Sequence, residues 1–168
     1  HLIYFPKNNQ YQFELFMDAL LLAQKQKSSQ DIVWVSSIGN NNFETSLKIK
    51  PALLIMPDNK DKDIESLTSH MDLQPTLMKN WLGCPLSQSG YSFSNGTDLL
   101  SLNKERVIAN TMKNGIMVFN KDKSVFIDQN GNFQSYSRQL AAPIVESSDF
   151  PLMIDGVNFI KQYSQVQH

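Results

Sequence analysis

Asn130-Gly131 stands between two runs of strand-forming residues, Ser124–Asp128 and Phe133–Tyr136. Asn and Gly both tolerate positive φ, so this pair predicts an antiparallel hairpin and fixes the direction of two neighbouring strands. Arg106–Ala109 and Gly115–Phe119 read as two more short strands, with Asn120-Lys121-Asp122-Lys123 as a second polar separator. The tail of the chain is therefore expected to be an antiparallel meander. Ser147–Asp149 then precede a final helix, about 150–164, with Leu152, Phe159, Ile160 and Tyr163 on its inner face.

The earlier part of the chain has a different pattern. Leu2–Phe5 is an apolar run stopped by Pro6 and reads as a buried strand. Asn8 and Asn9 offer a helix start. Tyr11, Leu15, Asp18 and Leu22, with Phe13, Met17, Leu20 and Leu21, recur at helical spacing, which predicts a helix over 10–26. Lys25 and Lys27 near its end suit the helix dipole. Ile32–Val35 and Ala52–Met56 are further apolar runs, the second fenced by Pro51 and Pro57. Apolar on both faces, they predict parallel strands covered on both sides and joined by right-handed crossovers. Asn59–Asp63 reads as a charged turn. A short helix follows within Thr68–Met78, with Asp72 as its N-cap, Pro75 in the first turn and Gly83 just past its end. Leu77, Met78 and Trp81 form its apolar face, and Pro85–Asp98 reads as an ordered loop.

The fold class expected is thus α/β: parallel strands near 2–5, 32–35 and 52–56 with flanking helices, then a small antiparallel meander and a C-terminal helix. Residues 1–168 read as a single domain, with an α/β part over 1–104 and hairpins plus helix over 105–168. His1 enters directly into an apolar run, which suggests the internal start of a longer protein.

Composition narrows the function classes. Hydrophobic residues make up 41% of the 168 and charged residues 18%, which excludes a disordered tail and a coiled coil. No apolar run approaches the roughly 20 residues of a membrane span, so no transmembrane segment is expected in this chain. A net charge of −1 argues against a phosphate-tracking surface and hence against nucleic acid as a partner. The single cysteine, Cys84, rules out an internal disulfide and a Cys-based zinc site. The three histidines, His1, His70 and His168, cannot assemble a His cluster, and no nucleophile elbow, phosphate-binding loop or H-E-x-x-H occurs. We therefore expect no cofactor, no metal ligands and no catalytic residues in this chain. Asn95-Gly96-Thr97 matches a glycosylation sequon, which we read as chance in an Asn-rich chain.

His70 and Asp72 form the one suggestive pair. They could be an acid/base pair or metal ligands at i, i+2. Alternatively they mark a strand-to-helix junction, where Asp72 accepts backbone N–H groups and His70 bonds a nearby carbonyl. Capping chemistry explains the pair without catalysis, and we favour it. Ser36, Ser37 and Ser46 would need a base to act as nucleophiles, and none is visible. Lys113, Lys121 and Lys123 could touch anionic headgroups, but such charges more commonly solvate a hairpin edge. The helix at 10–26 carries Gln10, Gln12, Glu14, Gln24 and Gln26 rather than a basic row, so it reads as core-facing, not membrane-bound.

Four stretches, in order, resemble one family. Thr68–Met78 (T-S-H-M-D-L-Q-P-T-L-M) is similar to a segment near the end of the sulfatase domain in the alkaline phosphatase superfamily. Phe16-Met17-Asp18 resembles a Y-x-D helix motif. Tyr91-Ser92 with Gly96-Thr97-Asp98-Leu99-Leu100 resembles Y-S-x-G-x-D-L-F, and Lys123–Tyr136 resembles a K-T-L-V-L-N-N-N-G-K-Y-R-T-Y hairpin. The last narrows the likeness to inner-membrane sulfatase-like proteins of the YejM/PbgA type in Gram-negative bacteria. The resemblance spans about residues 10–137 and implies the C-terminal portion of an alkaline-phosphatase-like fold.

The departures bear on activity. Active members carry an Asp-His-Gly after the strand that Ile32–Val35 resembles, and that Asp and His bind the catalytic divalent metal. Here the tripeptide is Ser37-Ile38-Gly39, and Asn40–Lys50 lacks the usual Gly-His segment. A serine hydroxyl is a weak neutral ligand and isoleucine has no donor atom. The family's nucleophile would lie upstream of His1. The resemblance thus implies a non-catalytic, periplasmic, sulfatase-like domain of an inner-membrane protein. Its role would be binding or regulation in envelope lipid or lipopolysaccharide homeostasis, with an envelope lipid or an inner-membrane regulatory protein as partner. Two other readings stand beside it. One is a metal-dependent sulfatase or phosphoethanolamine-transferase-like hydrolase whose catalytic half precedes this chain. The other is a protein–protein scaffold using the hairpin at 115–136. A dimer through surface bared by the missing half is also expected.

Overall fold

A computed structural model describes residues 1–26, 31–37, 50–57, 63–84, 96–112, 114–137, 143–144 and 149–164. The chain is a mixture of helices and antiparallel strands in two compact units. One comprises His1–Ser36 with Ala52–Asp61, and the other Ser37–Pro51 with Lys62–His168.

In the first unit a 3-10 turn, Lys7–Asn9, leads into α1, Gln10–Gln26. Pro6 precedes the turn in an extended conformation, and its carbonyl accepts the Asn9 N–H at 2.9 Å. Phe13, Phe16, Met17 and Leu20 lie half-buried along one side of α1, while Tyr11, Leu15 and Leu22 are exposed. Of the two apolar stripes in the sequence, only the one through Phe13 and Met17 turns inward.

The predicted strand at 2–5 does not form. Phe5 instead sets its ring against Phe13 and Phe16 of α1, with centroids 5.4 and 5.3 Å apart, and Leu2, Ile3 and Tyr4 are exposed. The run is thus held by one aromatic anchor rather than by a ladder. β1, Val33–Ser36, and β2, Ala52–Ile55, are strands as expected, but they pair antiparallel, Val33 opposite Ile55 and Ser36 opposite Ala52. β1 is half-buried throughout, and Ala52 and Leu53 are exposed. Neither strand has the two covered faces that a parallel sheet provides. An antiparallel pair also needs no crossover helix.

The second unit holds a five-stranded antiparallel meander in simple order: β3, Ile108–Met112; β4, Gly115–Phe119; β5, Lys123–Asp128; β6, Phe133–Ser137; and β7, Pro143–Ile144. The predicted strands appear, with β3 starting two residues later than expected. Arg106 lies before it, and its side chain makes the buried contacts described below. The hairpin at Asn130-Gly131 forms, with Gly131 at a positive φ of 83°. Its N–H bonds the Asp128 carbonyl at 3.1 Å, and the Asp128 N–H bonds the Asn132 carbonyl at 2.8 Å. This is a three-residue connection with glycine at the left-handed position, not a two-residue turn. The Asp128 carboxylate secures it by accepting from the Asn130 and Asn132 backbone N–H groups and the Asn132 amide, all within 2.9 Å.

Strand register places Ala109, Val118 and Val125 in a row across one face of the sheet. α3, Phe150–Ser164, lies on that face, with Leu152 completing the buried cluster and Met153, Phe159 and Ile160 packed around it. The predicted inner face is therefore seen at Leu152, Phe159 and Ile160; the Tyr163 side chain lies outside the described residues. Gly156 sets the distance of approach, because a Cβ there would overlap Val118 Cγ2. At the start of α3 the Asp149 carboxylate accepts from Lys123 Nζ at 3.1 Å and from Ser135 Oγ at 3.0 Å. This ties the helix end to β5 and β6 and places a negative charge at the dipole's positive pole. Among the described residues, no helix is long and apolar enough to cross a membrane.

Candidate functional site

The sequence singled out His70 and Asp72, and the structure places them in a 3-10 turn, His70–Asp72, that runs into α2, Leu73–Asn80. Asp72 occupies the N-cap position of α2, as expected, but its side chain makes no cap bond into that helix. Ser69 caps the turn, its Oγ accepting the Met71 N–H at 3.3 Å, and Asp72 sits third, reaching back to the Ser69 N–H at 2.7 Å. This is a reciprocal capping box. His70 is exposed. Gly83 does end the helical segment in a left-handed conformation, φ 64°, and the Cys84 N–H beyond it returns to the Met78 carbonyl at 2.8 Å.

Asp72 is fully buried and its two oxygens accept two bonds each. Oδ2 takes the Ser69 N–H and Arg106 Nη1 at 2.7 and 2.6 Å; Oδ1 takes the Thr97 N–H and Arg106 Nη2 at 2.7 and 2.5 Å. Arg106 is itself only 9% exposed and also donates to the Leu67 carbonyl at 3.3 Å. A carboxylate has about four acceptor positions, so this one is saturated. The planar guanidinium fork is the one side chain that fills two of them in parallel.

Around this pair the segments at 69–80 and 96–101 interlock. Thr76, fully buried, donates through Oγ1 to the Asp72 carbonyl at 2.6 Å and accepts the Leu99 N–H at 2.8 Å. A Cβ at position 96 would overlap the Met71 carbonyl oxygen, so glycine lets the two backbones touch. Asp98, also buried, begins a 3-10 turn, Leu99–Ser101, and binds back to the end of α2. Lys79 Nζ and Ser101 Oγ reach its Oδ2 at 2.8 and 3.1 Å; Asn80 Nδ2 and the Leu100 N–H reach its Oδ1 at 2.8 and 3.0 Å. Burial pushes the Asp98 carboxyl up, but the donors from Lys79, Leu100, Asn80 and Ser101 outweigh it and hold the carboxyl below its ordinary range.

Two stretches 23 to 25 residues apart, each quoted above for its resemblance, are thus brought together as one polar clamp. Sequence reasoning missed its cation. A signal existed, since Arg106 is one of only two arginines in the chain, but nothing in the linear pattern paired it with an aspartate 34 residues earlier. What the clamp does chemically is hold structure: neither Asp72 nor Asp98 has an acceptor position left for a metal ion or a substrate proton.

The other candidates fall elsewhere. Ser36 is half-buried on β1 and Ser37 exposed after it, while Ile38, Gly39, residues 40–49 with Ser46 among them, Asn95 and Lys113 lie outside the described residues. Lys123 does not simply solvate the hairpin edge but pairs with Asp149; Lys121 is exposed. Among the described residues, no three His, Cys, Asp or Glu side chains are grouped closely enough to hold a metal ion. A shallow groove of about 310 Å³ runs along the outer side of α3, lined by Phe150, Met153, Ile154, Val157, Asn158 and Lys161. Comparison of the chain with protein-family models finds no match, and comparison with curated proteins finds none either.

Proposed function

We propose that this chain is a non-catalytic, sulfatase-like domain with a binding or regulatory role, acting on the periplasmic side of a bacterial inner membrane in envelope lipid or lipopolysaccharide homeostasis. The observation that carries the non-catalytic part is the saturation of Asp72. The most suggestive carboxylate in the sequence spends both oxygens on Ser69, Thr97 and Arg106. The lineage rests on the four stretches that resemble the alkaline phosphatase superfamily. Two of them, at 68–78 and 96–100, share the clamp, which supplies a physical reason for their residue types to occur together. The replacement of Asp-His by Ser37-Ile38 removes the anionic and imidazole donors that hydrolysis in that superfamily uses.

The test uses the complete protein. Purified and dialysed, it is assayed for tightly held divalent metal and for turnover of aryl sulfate and aryl phosphate esters, and mixed with vesicles containing cardiolipin or lipid A. The expected result is sub-stoichiometric metal, no turnover, and sedimentation with one of the anionic vesicles over phosphatidylcholine alone. Stoichiometric metal with turnover that a chelator abolishes would establish the hydrolase instead. Absence of turnover together with absence of vesicle binding would remove the lipid role.

A further inference from the structure

We draw no further inference here: the strongest candidate, the exposed apolar face that Phe150, Ile154 and Val157 of α3 form beside Phe133 at the edge of the meander, carries nothing because no feature of the structure shows what covers it.

Discussion

A carboxylate with no solvent exposure survives in a protein interior only when its acceptor positions are filled. Asp72 meets that demand with a guanidinium, and removing the carboxylate strands the cation. Asp72→Ala should therefore destabilise the second unit by about 3–5 kcal/mol, well beyond a surface substitution, as read from the urea midpoint. A loss within about 1 kcal/mol, the range of an exposed pair, would mean that the pair is not buried in solution. Asp98 makes a pH-dependent contribution of definite sign. Its carboxyl titrates lower in the folded chain than the ordinary value of 3.8. The stability it adds is complete above the ordinary value and is lost as pH falls through the lower folded value. Asp98→Asn should flatten the acid limb of a stability-against-pH curve below about pH 4 while leaving its slope near neutrality unchanged. Ser124 presents the opposite case. Its hydroxyl, fully buried on β5, has no hydrogen-bond partner among the described residues. Ser124→Ala should be neutral or stabilise by up to about 1 kcal/mol in chemical denaturation, whereas a hidden partner would make the same change costly.

Among elements, α3 gains its place from an absence. Glycine inside a helix costs about 0.5–1 kcal/mol relative to alanine, yet Gly156 is buried against Val118. Gly156→Ala should therefore destabilise by about 1–3 kcal/mol despite the better propensity. Combining it with Val118→Ala should show a favourable coupling in a double-mutant cycle, because the smaller partner makes room. Additive effects would place the helix elsewhere. At this scale the sequence was most legible where local chemistry decides the outcome. Asn130-Gly131 announced a hairpin, Leu152 and Phe159 announced a helix face, and α1 was visible from its spacing. It was least legible where the partner is remote. Apolar four-residue runs such as Ile32–Val35 look the same whether the neighbouring strand runs up or down. Leu2–Phe5 has strand composition, yet only Phe5 has something to pack on. Within the site, capping chemistry at Asp72 is legible because it is local, but its bond goes back to Ser69 at the head of the preceding turn and not into α2. Arg106 and Thr97, distant in sequence, were not readable at all.

On the scale of the whole molecule, buried apolar residues are unevenly distributed. Among the described residues, Met56 alone belongs to the first unit, while Leu99, Ile108, Ala109, Met117, Val118, Val125 and Leu152 belong to the second. A two-stranded sheet is marginal by itself. Native-state hydrogen exchange should therefore find amides of β1 and β2 opening at lower free energy than those of β4 and β5, whose strands are paired on both sides. Equal protection across both sheets would show that the first unit is supported by more than its own contacts.

The clamp has a consequence for how the second unit tolerates damage. Asp72 holds Thr97, Thr76 holds Leu99, and Lys79 and Asn80 hold Asp98, so the helix and the stretch that follows Gly96 are fastened directly by side chains. Severing the peptide chain between Cys84 and Gly96 breaks none of these four bonds, so the two fragments should co-elute in gel filtration, and their separation would show that the bonds do not suffice.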